Sequence, residues 1–179
     1  MFENDFEKIL FGSEDIKKRI SELGKKITED YKNSDLVIIG ILKGAYVFTA
    51  DLVRAINLPL QVDFFAASSY GMNSQSSGVV KIKKDIDLDI EGKDVIIVED
   101  IVDTGLTLNY IKKYMKNHNP KSVNICAFLD KPKAHKIDLD IKYLGFSIEN
   151  HFVVGYGLDY AEKYRNLPYI AILKKEIYS

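Results

Sequence analysis

The apolar positions of this chain fall into blocks of two different spacings. Ile16, Ile20, Leu23, Ile27 and Tyr31 recur every three or four residues, one face of an amphipathic helix, with Ser13 placed to cap its start. Asn33-Ser34-Asp35 ends that pattern. Residues 36–42 (Leu-Val-Ile-Ile-Gly-Ile-Leu) are then continuously apolar, as expected of a parallel strand covered on both faces. Residues 45–56 are helical in pattern and are closed by Asn57 and Pro59. Residues 60–67 and 79–86 read as strands, separated by a polar stretch of Ser, Gly and Asn at 68–78. Gly92 turns the chain into a strand at Asp94, residues 106–117 form the next helix, and strands follow at 122–129, 143–147 and 169–173. Strands alternating with helices predict βαβ units: a single α/β domain over residues 1–179, with a mainly parallel central sheet flanked by helices. The strand pair around 68–78 breaks the alternation and predicts a flexible antiparallel arm. The terminal segments are expected to form a small appended hood.

The most informative stretch is Val95-Ile-Ile-Val-Glu-Asp-Ile-Val-Asp-Thr-Gly-Leu-Thr-Leu108. Four apolar residues predict a central strand, and Glu99, Asp100 and Asp103 are expected just past its carboxyl end, where open α/β sheets bind ligands. Thr104, Gly105, Leu106 and Thr107 open the following helix and can offer backbone N–H groups and the positive end of its dipole to a phosphate. Carboxylates about 4 Å from phosphate oxygens would be repelled by roughly 4 kcal/mol at an effective dielectric near 20. Glu99 and Asp100 are therefore expected to meet sugar hydroxyls, or Mg²⁺, rather than the phosphate itself. One loop presenting acids to hydroxyls and amides to an anion suits a ribose 5-phosphate. An acidic, solvated strand–helix connection is the plainer alternative for any one of these acids.

The run of Glu99-Asp-Ile-Val-Asp-Thr-Gly-Leu-Thr-Leu108 resembles the phosphoribosyl-binding loop of the purine phosphoribosyltransferases, of type I fold. A second string, Phe152-Val-Val-Gly-Tyr-Gly-Leu-Asp-Tyr160 with Arg165 beyond it, resembles a segment of the hypoxanthine branch. Leu42-Lys43-Gly44 by itself reads as an ordinary strand–helix turn. The resemblance implies a pyrophosphate loop there, with Lys43, Gly44 and Arg165 on the pyrophosphate and a non-proline cis peptide at Leu42–Lys43. Ser69 and Tyr70 fall where the family has a loop that closes over the reacting centre, which would keep water from a cationic sugar. The Asp130-Lys131-Pro132 sequence says little alone; the resemblance implies that Lys131 donates to the purine 6-oxo group. It further implies that Phe152 stacks on the base, that the Val153 backbone reads its edge, and that Asp159 binds near the base with a second Mg²⁺. Asp103 becomes the candidate general base or acid, acting at N7. Glu99, Asp100 and Asp159 are the candidate metal ligands. Leu106 departs from relatives that carry Lys there, so only its backbone N–H can serve the phosphate.

The resemblance thus implies Mg²⁺-dependent transfer of a 5-phosphoribosyl group from phosphoribosyl diphosphate to N9 of hypoxanthine or guanine, in a homo-oligomer, dimer or tetramer. Composition sets outer bounds. The 179 residues are 46% hydrophobic and 28% charged with a net charge of −1, ordinary for a globular domain and without the basic excess that nucleic-acid binding usually needs. No apolar run reaches the 18 residues of a membrane helix, and the acidic N-terminus is unlike a signal peptide; a cytoplasmic enzyme is expected. Cys126, in an apolar run, is expected to be a buried thiol. His118, His135 and His151 lack ligand spacing, and no zinc site is expected. Three alternatives remain open: a xanthine- or guanine-preferring relative, an RNA-binding regulator of nucleotide synthesis on the same fold, and a phospho-acceptor receiver domain. The last usually draws its acids from separate strands.

Overall fold

The long apolar runs set the frame of the molecule, seen here in a computed structural model that describes residues 3–69 and 80–179. The elements are β1 (Phe6–Phe11), α1 (Ser13–Asp30), β2 (Leu36–Leu42), α2 (Tyr46–Ala55), β3 (Leu60–Ser69), β4 (Val80–Lys84), β5 (Asp94–Val102), α3 (Leu106–Lys116), β6 (Ser122–Asp130), β7 (Tyr143–Ser147), β8 (Val153–Val154), β9 (Ile170–Leu173) and α4 (Lys175–Tyr178). Six strands form one sheet in the order β4-β3-β2-β5-β6-β7. All neighbours in it are parallel except β3 and β4, which pair antiparallel through Ala66↔Lys84 to Ser69↔Val80. The expected arm is therefore the edge of the main sheet, and its first strand runs through Ser68 and Ser69.

Side chains on β2 and β5 alternate between two cores. Leu36, Ile38, Ile96 and Val98 pack with α1 and α2, while Val37, Ile39, Val95 and Ile97 pack with α3. Both faces are covered, which is why these strands read as unbroken apolar runs. The thiol of Cys126 lies in the first core, and burial pushes it well above the ordinary range.

The hood is a separate three-stranded sheet, β1-β9-β8. It joins the two ends of the chain and is tied down by Tyr164, whose hydroxyl donates to Asp5 Oδ2 at 2.9 Å. Three sequence expectations change. Gly12, not Ser13, caps α1, and its N–H donates to Asp15 Oδ2 at 3.0 Å. The strand expected at 169–173 begins at Ile170 and belongs to the hood. β5 does not stop at Val98: it continues through Glu99 and Asp100 to Val102, held by β6 in the register Glu99↔Ala127, Ile101↔Leu129 and Val102↔Asp130. Only Asp103 of the three acids lies in the turn.

Two crossovers leave the centre in opposite directions, β2 through α2 to β3 and β5 through α3 to β6. The carboxyl ends of β2 and β5 therefore flank the point where strand order reverses. Such a crevice is where open α/β sheets take their ligands.

Candidate active site

Four loops meet at this crevice, and glycines let them approach. A Cβ on Gly44 would lie 1.5 Å from Asp100 Oδ2, so the turn after β2 is pressed directly against an acid of β5. Gly157 has φ +101°, and a Cβ there would lie 2.1 Å from the carbonyl oxygen of Gly44, which brings the turn after β8 onto the same spot. Only glycine fits both the contact and the backbone angle. The Leu42–Lys43 peptide is cis, as the family resemblance implies. On the other side, Lys131 N–H donates to Val102 O at 2.9 Å and Lys136 N–H to Thr104 O at 3.0 Å, lashing the segment after β6 to the loop after β5.

Glu99 and Asp100 are both part-buried. Desolvation, followed by repulsion from the adjacent Asp100 carboxylate, raises Glu99 well above the usual carboxylate range. A cation or hydrogen-bond donor placed beside the pair would lower that value again. Asp103 is exposed at the turn. Beyond it Gly105, at φ +79°, leads into α3, whose first-turn N–H groups have no intrahelical partner; that of Leu106 lies 3.5 Å from Thr104 Oγ1. The Leu106 side chain is exposed.

The cations are arranged around a carboxylate that the sequence did not single out. Lys43 Nζ lies 3.1 and 3.2 Å from the two oxygens of Glu162. Arg165 pairs with Asp159 Oδ1 at 2.8 Å and with Glu162 Oε2 at 3.3 Å, and donates to Gly157 O at 2.8 Å. These hydrogen bonds, that of Lys43 first, hold the Glu162 carboxyl below its usual value. Asp159, expected near the base and a metal, is thus engaged by Arg165 and by the N–H of Glu162 at 2.9 Å. A cavity of about 650 Å³ between α1, α2 and residues 165–168 shares Arg165 with this cluster but none of its acids other than by that link.

Lys131 is a charged side chain only 9% exposed, and among the described residues no carboxylate pairs with it. Its ammonium has no protein acceptor among the described residues and is not among the fully buried atoms, so it can meet a ligand acceptor. Next to it, buried Asp130 meets His135 Nε2 at 2.6 Å, a pairing invisible in the sequence. His118 and His151 are partly packed against Tyr114 and Glu149. Phe152 is 37% exposed; its ring stacks on Tyr178 of α4 at 4.6 Å and 19° and meets Tyr160 edge-on at 5.7 Å. Val153 follows in β8, opposite Ile172. Ser69 ends β3, whereas Tyr70 and the rest of the expected closing loop lie outside the described residues.

The glycine contacts bring the turns after β2 and β8 onto the acidic end of β5, and the comparisons with known proteins show the family. The phosphoribosyl transferase domain model matches residues 9–161. The hypoxanthine-guanine phosphoribosyltransferase of Bacillus subtilis strain 168 is 48% identical over 178 residues, covering 99% of both chains. The chain belongs to the hypoxanthine-guanine phosphoribosyltransferase family. A solved hypoxanthine phosphoribosyltransferase from Staphylococcus aureus superposes with a TM-score of 0.96 at 47% identity, over 99% of this chain and 97% of that one. Another from Trypanosoma cruzi, solved as a ternary complex with substrates, gives 0.93 at 42% identity over 98% and 100%. Members of this family share the single α/β domain and mainly parallel sheet found here. Among the described residues no helix is long and apolar enough to cross a membrane.

Proposed function

We propose that this chain transfers the 5-phosphoribosyl group of phosphoribosyl diphosphate to N9 of hypoxanthine and guanine, forming inosine or guanosine monophosphate and pyrophosphate. The observation that carries the reading is the packing of Gly44 on Asp100 at the point where strand order reverses. It brings a cationic loop and an acidic strand end together beside the N-terminus of α3.

In this mechanism the amides of Thr104, Gly105, Leu106 and Thr107 hold the 5′-phosphate, helped by the dipole of α3. Glu99 and Asp100 accept hydrogen bonds from the ribose hydroxyls. As the bond from C1′ to pyrophosphate loosens, positive charge gathers on the sugar and negative charge on the leaving group. Lys43, the Gly44 amide and Arg165 neutralise the latter, the larger electrostatic task. Lys131 donates to the 6-oxo group, Phe152 stacks on the purine, and backbone atoms of Val153 read its edge, so stacking gives affinity while polar contacts discriminate. Asp103 exchanges the proton at N7, a role typically worth about 10²- to 10⁴-fold.

Among the described residues no three His, Cys, Asp or Glu side chains form a ready-made metal cage. The donors present fit Mg²⁺ none the less, because that ion is usually held by one or two carboxylates together with substrate phosphates and water. Glu99 and Asp100 are such a pair; Asp159 would have to share its carboxylate with Arg165 to hold a second ion. Mg²⁺ bound with the diphosphate supplies further neutralisation of the leaving group. The protein is proposed to act as a homo-oligomer, a dimer or tetramer.

The test is direct: free base, phosphoribosyl diphosphate and Mg²⁺ should yield the nucleoside monophosphate, and absence of product with all three oxopurines would refute the assignment. Competition among hypoxanthine, guanine and xanthine separates this reading from a xanthine- or guanine-preferring one.

A further inference from the structure

The two side chains assigned to the pyrophosphate share one internal anion. Glu162 receives Lys43 through both oxygens, at 3.1 and 3.2 Å, and Arg165 at 3.3 Å. Its turn is built to hold it there. Tyr160 and Lys163 exchange backbone hydrogen bonds at 3.2 and 3.0 Å. Ala161, Glu162 and Tyr164 take φ of +50°, +60° and +74°, a conformation that side chains of this kind rarely adopt. Glu162 N–H is pinned by Asp159, the same carboxylate that pairs with Arg165. The buried Nε of Arg165 has no partner among the described residues, so the guanidinium is not saturated by its protein contacts. The Glu162 side chain is 65% exposed and can swing aside while its turn stays in place.

We propose that Glu162 is a built-in competitor for pyrophosphate: the donors of Lys43 and Arg165 serve either its carboxylate or the diphosphate oxygens. This rests on the pyrophosphate reading given above. Pyrophosphate carries more charge and wins the cations, and repulsion then drives Glu162 outward. When pyrophosphate leaves, Glu162 retakes both cations. The effect is to trim affinity for the leaving group and hasten its release, a step that limits turnover in many transferases. Exposed ion pairs are individually weak, so the effect is several-fold rather than orders of magnitude.

The experiment is calorimetric titration of magnesium pyrophosphate into the full-length wild type, Glu162→Gln and Lys43→Ala. Glu162→Gln should bind about fivefold tighter than wild type, with the gap narrowing as salt is raised from about 0.05 to about 0.5 M. A gain in affinity is a result that mere damage to the turn would not produce. Wild-type binding that is weakened by Lys43→Ala but unchanged or weakened by Glu162→Gln overturns the competitor role alone. Wild-type binding that is absent, or indifferent to Lys43→Ala, overturns the pyrophosphate reading and the competitor role with it.

Discussion

Gly44 shows how little space separates the turn after β2 from the acids of β5. A single methyl there would lie 1.5 Å from Asp100 Oδ2, so Gly44→Ala must push the loop after β2 away from β5. Displacements of about 1 Å near reacting groups can cost about 10²-fold in rate. We expect Gly44→Ala to lose about that factor in kcat/KM for phosphoribosyl diphosphate while Tm changes little; wild-type kinetics would show that the contact is dispensable. Asp103 is a different case, exposed at its turn and free to meet a ligand. Asp103→Asn is expected to lower kcat by about 10²-fold or more with little change in nucleotide affinity. Equal losses in turnover and in nucleotide affinity would make it a binding residue only.

The helical and strand patterns that were long and apolar located α1, α2, α3, β2 and β6 to within a residue or two. β1 and β8 escaped. The former mixes Glu7 and Lys8 among its apolar positions and the latter is two residues long, so both depend on pairing with β9 rather than on their own pattern. The extension of β5 was hidden for a related reason: Glu and Asp are poor strand formers, and only hydrogen bonding to β6 keeps Glu99 and Asp100 in the strand. The short α4 carries a consequence of its own. Tyr178 backs Phe152, and such ring pairs contribute about 1 kcal/mol. Tyr178→Ala should therefore raise KM for the purine base about fivefold and leave that for phosphoribosyl diphosphate unchanged. Matching increases in both would point instead to general loosening of the hood.

Across the whole molecule, two buried carboxylates tie distant segments together. Burial tends to raise Asp63, but N–H groups of Leu88, Phe64 and Asp87 and the Lys84 ammonium outweigh it, so its pKa is lowered. Asp94 behaves alike: burial is outweighed by Lys121, Ser122 and Ser34. A depressed folded-state value means that each contributes stability in full above the unfolded value, about 3.9, and loses it as pH falls through the lower folded value. Tm should accordingly fall as pH drops below about 4, and less steeply in Asp94→Asn, which already lacks that contribution at neutral pH. Parallel acid limbs for the two proteins would remove Asp94 from the account.

The chain's own order of residues determined which segments become central strands, because a strand buried on two faces must be apolar throughout. It also placed Asp103 and Gly105 at a strand–loop–helix junction, which local spacing alone marks, whereas pairing with β6 drew Glu99 and Asp100 into the strand. Tertiary structure decided what the strand ends meet. That Gly44 presses on Asp100, that Glu162 reaches Lys43 across 119 positions, and that Lys131 is buried without a counter-ion follow from strand order and from the docking of the hood. Contacts of that range depend on where whole elements pack, and no local period in the sequence encodes it.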